Sequence, residues 1–314
     1  MTRRVPTLSH RDFTNGDAAA RAAYAQALSR ALKDYGFVIL KDHGVPTHLL
    51  DRAYGLAETL FALPEATKRT WAEGMRGYTP FGTEHAKDSR HPDLKEFWQI
   101  GRERTPGDGL PDEDFPANVW PAEAETGLDG FRDTFLALYD GLDRTGREVL
   151  RALAPSLGLD EGWFDPKVEK GVSIFRVLHY PPVPDDAPEG CVRSAAHEDI
   201  NFITILVAAK GAGLQLLDRD GRWLPVETEA GELIVDSGDM MARLTNGVIP
   251  ATTHRVVNPV GPNVSRYSMP FFMHPSNDTS LACLPSCVGD GAKEPPITAG
   301  EFLDQRLRAI GLKA

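Results

Sequence analysis

The chain has 314 residues, 41% of them hydrophobic and 25% charged, which is an ordinary balance for one large globular domain or two intimate ones. A formal net charge of −11 and a pI near 5.3 argue against a generic nucleic-acid or anionic-membrane surface, because both need clustered Lys and Arg. Cys191, Cys283 and Cys287 have neither an even count nor a zinc spacing, Met1–Leu8 leads into no apolar signal core, and no run of about 18 apolar residues exists, so a reducing, cytoplasmic setting is expected.

In chain order, Asp17 reads as the N-cap of an amphipathic helix carrying Tyr24, Leu28, Leu32 and Tyr35, with Gly36 as its stop. Phe37–Leu40 reads as a buried strand and Asp42-His43-Gly44 as a turn in which His43 is structural. Thr47 is placed to cap a second helix whose wide apolar face runs from Leu49 to Phe61. Residues 74–105 change character: Gly74–Gly82 is glycine-rich and His85, Lys87, Arg90, His91 and Lys95 add charge, so the composition predicts a loop that supplies binding residues. Phe131, Phe135, Leu138, Leu142, Val149 and Leu153 mark a long helix ending near Pro155.

From Gly171 onward the pattern becomes short apolar runs between turns: Val172–Tyr180, Phe202–Ala208, Leu214–Leu217, Trp223–Val226, Leu233–Asp236, Met240–Arg243, His254–Val257 and Tyr267–Phe272. About eight strands at this spacing predict a sandwich or jelly roll, with a hairpin turn at Asp220-Gly221. Thr298 and Glu301 form a capping box for a final helix bearing Phe302, Leu303, Leu307 and Ile310, expected as a lid or packing helix. Cys283 and Cys287 are close enough in sequence to form a bridge, though the compartment disfavours it.

The chemistry gathers at Ala196-His197-Glu198-Asp199-Ile200. In extended backbone His197 and Asp199 point to one side and Glu198 to the other, so the pair can chelate, and His254 on a neighbouring strand would close the site. Two imidazoles and one carboxylate suit a non-haem Fe(II) centre with open positions. A lone His-x-Asp arises often by chance; the weight comes from the ordered set, in which Arg266 and Ser268 follow on one strand face and can present a guanidinium fork and a hydroxyl to the carboxylate of an acidic co-substrate.

With Asp34-Tyr35-Gly36-Phe37, Asp42-His43-Gly44-Val45, Arg76-Gly77-Tyr78, Lys95-Glu96-Phe97, His179-Tyr180-Pro181-Pro182, Gly213-Leu214-Gln215 and Gly238-Asp239, these motifs run nearly the whole chain. In that order the sequence resembles the Fe(II)/2-oxoglutarate-dependent dioxygenases of the isopenicillin N synthase-like branch. The resemblance implies a mainly β fold with flanking helices. Its double-stranded β-helix (jelly roll) would span about residues 170–275, within a core of 166–278. A mostly helical region, 1–165, would precede this core, and a segment with the final helix, 279–314, would follow it. It implies Fe(II), 2-oxoglutarate and O2 as cofactor and co-substrates, Tyr180 beside Arg266 and Ser268 on the 2-oxoglutarate carboxylate, and hydroxylation as the default outcome. Cyclisation, desaturation and ethylene formation use the same iron site. Isopenicillin N synthase itself departs from the pattern, using the Arg and Ser for its substrate's carboxylate without 2-oxoglutarate. A zinc-dependent hydrolase and a non-catalytic jelly-roll binding protein are the other readings. Arg76, Tyr78, Phe97 and Phe272 are the expected substrate wall, and one cation among aromatics points to a small-molecule substrate such as a carboxylic or amino acid derivative.

Overall fold

A computed structural model describes residues 3–72, 74–85, 91–105 and 107–309; Lys87, Arg90 and Ile310, read above as loop charge and helix face, lie outside them. Strand β1 (Thr7–Ser9) and the short α1 (Arg11–Thr14) lead into α2 (Ala18–Tyr35), β2 (Phe37–Lys41) and α3 (Thr47–Ala62). Local chemistry sets the ends of α2: the Ala20 N–H donates to the Asp17 carboxylate, and Gly36 at φ +67° donates its N–H to the Leu32 carbonyl. Helix α3 buries Leu50, Ala53, Leu56, Ala57, Leu60 and Phe61, but Pro46 rather than Thr47 occupies its N-cap and no side chain caps it. His43 is structural, its Nε2 donating to the Gly231 carbonyl at 2.6 Å while Nδ1 accepts from the Val45 N–H.

Next come α4 (Glu65–Arg69), β3 (Gly77–Thr79) and β4 (Glu96–Gly101). Residues 74–105 are therefore not one loop, as their composition predicts; β3 and β4 pair antiparallel at either end of the segment. The missed signal has a physical cause. Strand β4 is buried on both faces, so it shows no clean alternation. Its charged member, Glu96, is satisfied by Lys68 (2.6 Å), His179 (2.7 Å) and the Tyr78 hydroxyl. Helices α5 (Glu123–Thr126), α6 (Phe131–Leu153) and α7 (Asp165–Glu169) complete this half.

The second half runs β5 (Ile174–Tyr180), β6 (Ser194–His197), β7 (Ile203–Lys210), β8 (Leu214–Leu217), β9 (Trp223–Pro225), β10 (Leu233–Ser237), α8 (Asp239–Leu244), β11 (His254–Val256), β12 (Arg266–Met273) and α9 (Ala299–Ala309). One expected strand is corrected, since Met240–Arg243 belongs to helix α8. So short an apolar run carries no resolvable period. At its start, the N–H groups of Asp239 and Met240 donate back to the carbonyls of Asp199 and Ile200, which turns the chain out of any ladder. Gly238 permits the turn, because a Cβ there would lie 2.4 Å from the Asn201 carbonyl oxygen.

An eight-stranded sheet, ordered β1-β2-β10-β7-β12-β5-β4-β3, faces a four-stranded sheet, β6-β11-β8-β9. This is the jelly-roll core, and the N-terminal region gives four strands to its larger sheet besides the helices that wrap it. Helices α2, α3 and α6 cover the outer face, where Trp98, Phe135, Phe175 and Phe271 are fully buried. Each such side chain contributes roughly 1.5–3 kcal/mol of burial free energy. Between the sheets lies a second, smaller apolar cluster that includes Phe37, Leu178, Leu206, Leu214 and Val256. Among the described residues no helix is long and apolar enough to cross a membrane, and Cys283 and Cys287 are not bridged.

Candidate active site

Strands β6 and β11 are neighbours, and His254 stands directly opposite His197, which puts the two rings 4.4 Å apart between centroids. Asp199 follows β6 as the chain turns, with its Oδ1 3.7 Å from His197 Nε2 and 3.9 Å from His254 Nε2. One ligand atom from each residue lies within 4.8 Å of the others. Backbone carbonyls fix the tautomers: His197 Nδ1 contacts the Ala195 oxygen at 2.7 Å and His254 Nδ1 the Thr252 oxygen at 3.1 Å. A carbonyl can only accept, so each Nδ1 carries the proton and each Nε2 presents its lone pair inward. Burial, reinforced by His254, pushes the His197 imidazole below its ordinary pKa and keeps it neutral. The other oxygen of Asp199 accepts from Thr204 Oγ1, which in turn accepts from Asn201 Nδ2 at 2.8 Å. Glu198 points elsewhere, accepting from Thr253.

Arg266 and Ser268 sit two positions apart on β12, on the same face, with Tyr180 paired opposite Arg266 on β5. The guanidinium is only 1% exposed, lies 5.0 Å over the Tyr180 ring, and leaves Nε and Nη1 without a hydrogen-bond partner. Burial lowers its pKa, opposed by Tyr180 and Tyr54. A buried cation with orphaned donors costs several kcal/mol, so the site is built for an anion. The donor set thus fits both halves of the expected chemistry: imidazole and carboxylate for Fe(II), a free guanidinium fork for a carboxylate.

One cavity of about 340 Å³ takes in Arg266, Ser268 and Tyr180 as well as the three candidate ligands. Its far end is bounded by Ile174, Arg176, Phe272, His274 and, from α9, Leu303 and Leu307. Of the expected substrate wall, Phe272 lies here. Arg76, Tyr78 and Phe97 do not, which corrects that expectation. Arg76 is buried against Gly101, where even a Cβ would come within 2.4 Å of its Nε. Tyr78 packs into the helix-side core and donates to Glu65 and Glu96. Phe97 faces inward but is roofed by the Arg176 guanidinium, 4.3 Å from its ring centre. Arg176 itself was legible, since alternation puts it on the same face of β5 as Tyr180. His274 and the acidic Glu84 carried no such signal, because each follows or lies outside a strand. The final helix does roof the cavity, and its capping box forms: the Thr298 N–H donates to Glu301 at 3.0 Å and the Glu301 N–H to Thr298 Oγ1 at 3.3 Å.

A family model described as the N-terminal part of the non-haem dioxygenase in morphine synthesis matches residues 5–123, and the 2OG-Fe(II) oxygenase superfamily matches residues 171–275. Among curated relatives, the 2-oxoglutarate-Fe(II) type oxidoreductase hxnY of Emericella nidulans is 33% identical, with 95% of this chain and 88% of the relative covered. The proline hydroxylase buaE of Petromyces alliaceus is 31% identical over 96% of this chain and 98% of its own. A 2OG-Fe(II) oxygenase family protein of Caulobacter crescentus, 43% identical, superposes with a TM-score of 0.86 over 98% of this chain and 100% of that one. Full-length Neurospora crassa T7H in complex with alpha-KG and thymine, 29% identical, gives a TM-score of 0.86 over 97% and 96%.

Proposed function

The chain belongs to the 2-oxoglutarate-Fe(II) oxygenases, and from that premise we propose that His197, Asp199 and His254 hold the iron, that Arg266, Ser268 and Tyr180 hold the distal carboxylate of 2-oxoglutarate, and that the reaction is hydroxylation of a small molecule. Enzymes of this family use Fe(II), 2-oxoglutarate and O2, and the bound iron and co-substrate couple oxidative decarboxylation, to succinate and CO2, to oxidation of a second substrate. The protein's own part is positional. Two carbonyls fix the imidazole orientation with Nε2 inward, Thr204 orients the carboxylate, and Leu206, Leu214 and Val256 keep water from the co-substrate's side of the cavity. A zinc hydrolase, a binding module and an oxidase without 2-oxoglutarate have no counterpart in the relatives above. A proline hydroxylase and a thymine complex among those relatives support a small substrate, and hydroxylation in particular. The odd set of three cysteines supports a reducing, cytoplasmic compartment.

The orphaned Arg266 guanidinium in the cavity that holds the ligand triad carries this reading. Iron-dependent release of succinate from 2-oxoglutarate, measured without added substrate, tests it together with His197→Ala and Arg266→Lys. The alanine variant should lose iron. The lysine variant should raise the KM for 2-oxoglutarate about 10–100-fold, the worth of charge-assisted hydrogen bonds that an ammonium cannot make as a fork. Unchanged iron binding in the first, or an unchanged KM in the second, would remove that residue from its role.

A further inference from the structure

Two ends of β12 divide the cavity between them: Arg266 and Ser268 at one, Phe272 and then His274 at the other. Phe272 pairs across to Thr204, the residue that holds Asp199, so the space beyond Phe272 lies past the ligand triad as seen from Arg266. Among the described residues, the acidic and basic side chains at this far end pair with one another. Arg176 gives both Nη groups to the two Glu84 oxygens at 3.1 and 3.2 Å and its Nε to Gln99 at 2.8 Å. Lys95 is 2.7 Å from Asp93 and 3.5 Å from Glu84, and Arg306 is 2.6 Å from Asp239. A substrate carboxylate here would have to break one of these pairs or stay unpaired beside Glu84 and Asp93.

Among the described residues, His274 is a polar group at this end that these pairs leave unsatisfied. It is 7% exposed, lines the cavity, and its Nδ1 has no hydrogen-bond partner. Its backbone is pinned, the N–H donating to Ser173 Oγ at 3.1 Å and the carbonyl accepting from that hydroxyl at 3.4 Å. The carbonyl also lies 2.1 Å from where a Cβ on Gly171 would be, so the ring is aimed by packing on both sides. Burial pushes its pKa down to about 4, between the opposing influences of Asp199 and Arg176, so near neutral pH the ring offers one donor and one acceptor and no charge.

Building on the iron and 2-oxoglutarate assignment above, we propose that His274 is a specificity-determining residue that hydrogen-bonds the primary substrate, and that this substrate is a neutral molecule carrying an amide-like or imide-like polar group, not a carboxylic acid. Phe272, Ile174, Leu303 and Leu307 supply its apolar surroundings, and the Arg176–Glu84 pair closes the end wall. Among the described residues, the cations at this end, Arg176, Lys95 and Arg306, are each already paired with a carboxylate, so the acid class that a free arginine at position 76 would have favoured meets no unmatched cation among them.

Matched probes isolate the charge. Equilibrium binding of uracil and its carboxylate counterpart orotate, and of benzamide and benzoate, is measured by calorimetry on the full chain with 2-oxoglutarate and Mn(II), without oxygen. In each pair the neutral member should bind about tenfold more tightly, the ratio one well-placed hydrogen bond supplies. His274→Leu should erase that preference, and His274→Asn should restore part of it. Tighter binding of the carboxylates, no binding of any probe, or a preference that survives His274→Leu overturns the inference. Binding of 2-oxoglutarate alone is read in the same instrument; its loss in the wild-type protein would instead overturn the co-substrate assignment, so the two failures are distinct.

Discussion

At the scale of single residues, the proposed metal site rests on a side chain that no motif announces. Thr204 lies five places beyond Asp199 on β7, donates to its Oδ2, and accepts a hydrogen bond from the fully buried Asn201 amide. The carboxylate is thereby held by one oxygen while the other faces the imidazoles. Thr204→Val keeps the volume but removes donor and acceptor together. Because groups of this kind hold ligands in orientation, the affinity for Fe(II) should fall about 10–100-fold, measured by anaerobic titration. The stranded Asn201 amide should also cost about 1–3 kcal/mol of stability. A lower Tm with unaltered iron affinity would make Thr204 a packing residue and nothing more. That His197, Asp199 and His254 gather, and that Arg266 and Ser268 share a side, was legible because alternation in extended backbone fixes which side chains share a side. Thr204 was not, since its role depends on β7 lying across the sandwich from β6, a fact of topology and not of sequence distance.

At the scale of elements, the sequence was most readable where a period repeats over several turns or a cap is chemically specific. Helices α2 and α6 and the Thr298–Glu301 box stand where the spacing puts them, and the strands from β5 to β12 that were expected begin and end within two residues of their predicted bounds. Reading failed where burial on both faces erased the alternation of β4, and where the four-residue run Met240–Arg243 could not tell the helix α8 from a strand. That helix matters for α9. Arg306 reaches from α9 to Asp239 at the start of α8, and Leu303 and Leu307 from the same helix close the cavity. An ion pair this near solvent is worth about 1 kcal/mol or less, so Arg306→Ala should barely move the Tm. It should loosen the roof instead, raising the KM for the primary substrate several-fold with little change in the KM for 2-oxoglutarate, whose subsite is at the other end of β12. Steady-state kinetics with each substrate varied in turn decides the matter; equal shifts in both constants would show that α9 acts on the whole site.

At the scale of the whole molecule, groups buried in the cavity between the two sheets and elsewhere in the core are held in a single protonation state, and the pH dependence of folding follows from them. His274 is held near pKa 4 when folded and reverts to about 6.5 when unfolded, so between these values the unfolded chain binds the extra proton. Its contribution is complete above about pH 6.5 and is lost as pH falls, by up to about 3 kcal/mol over the window. Burial also lowers His43 and His197, which therefore act in the same direction. Glu84 and Glu96 do too: burial would raise both carboxyls, but Arg176 and Lys95 on the one, and His179 and Lys68 on the other, outweigh it and hold them low. Their share disappears at still lower pH. Asp236 opposes the trend, because burial and the neighbouring Asp199 raise its pKa and the folded state keeps that proton. Asp140, which burial also raises, sides with Asp236; with three histidines and two carboxylates against these two aspartates, the metal-free protein should lose stability steadily from about pH 6.5 downward. His274→Phe removes the one histidine of this group whose shift is large while leaving an apolar ring in its place, so its unfolding free energy should fall more slowly by about 2 kcal/mol between pH 7 and pH 4.5. Urea denaturation of both proteins at the two pH values measures this, and curves that fall in parallel would mean that His274 is not held neutral in the folded cavity.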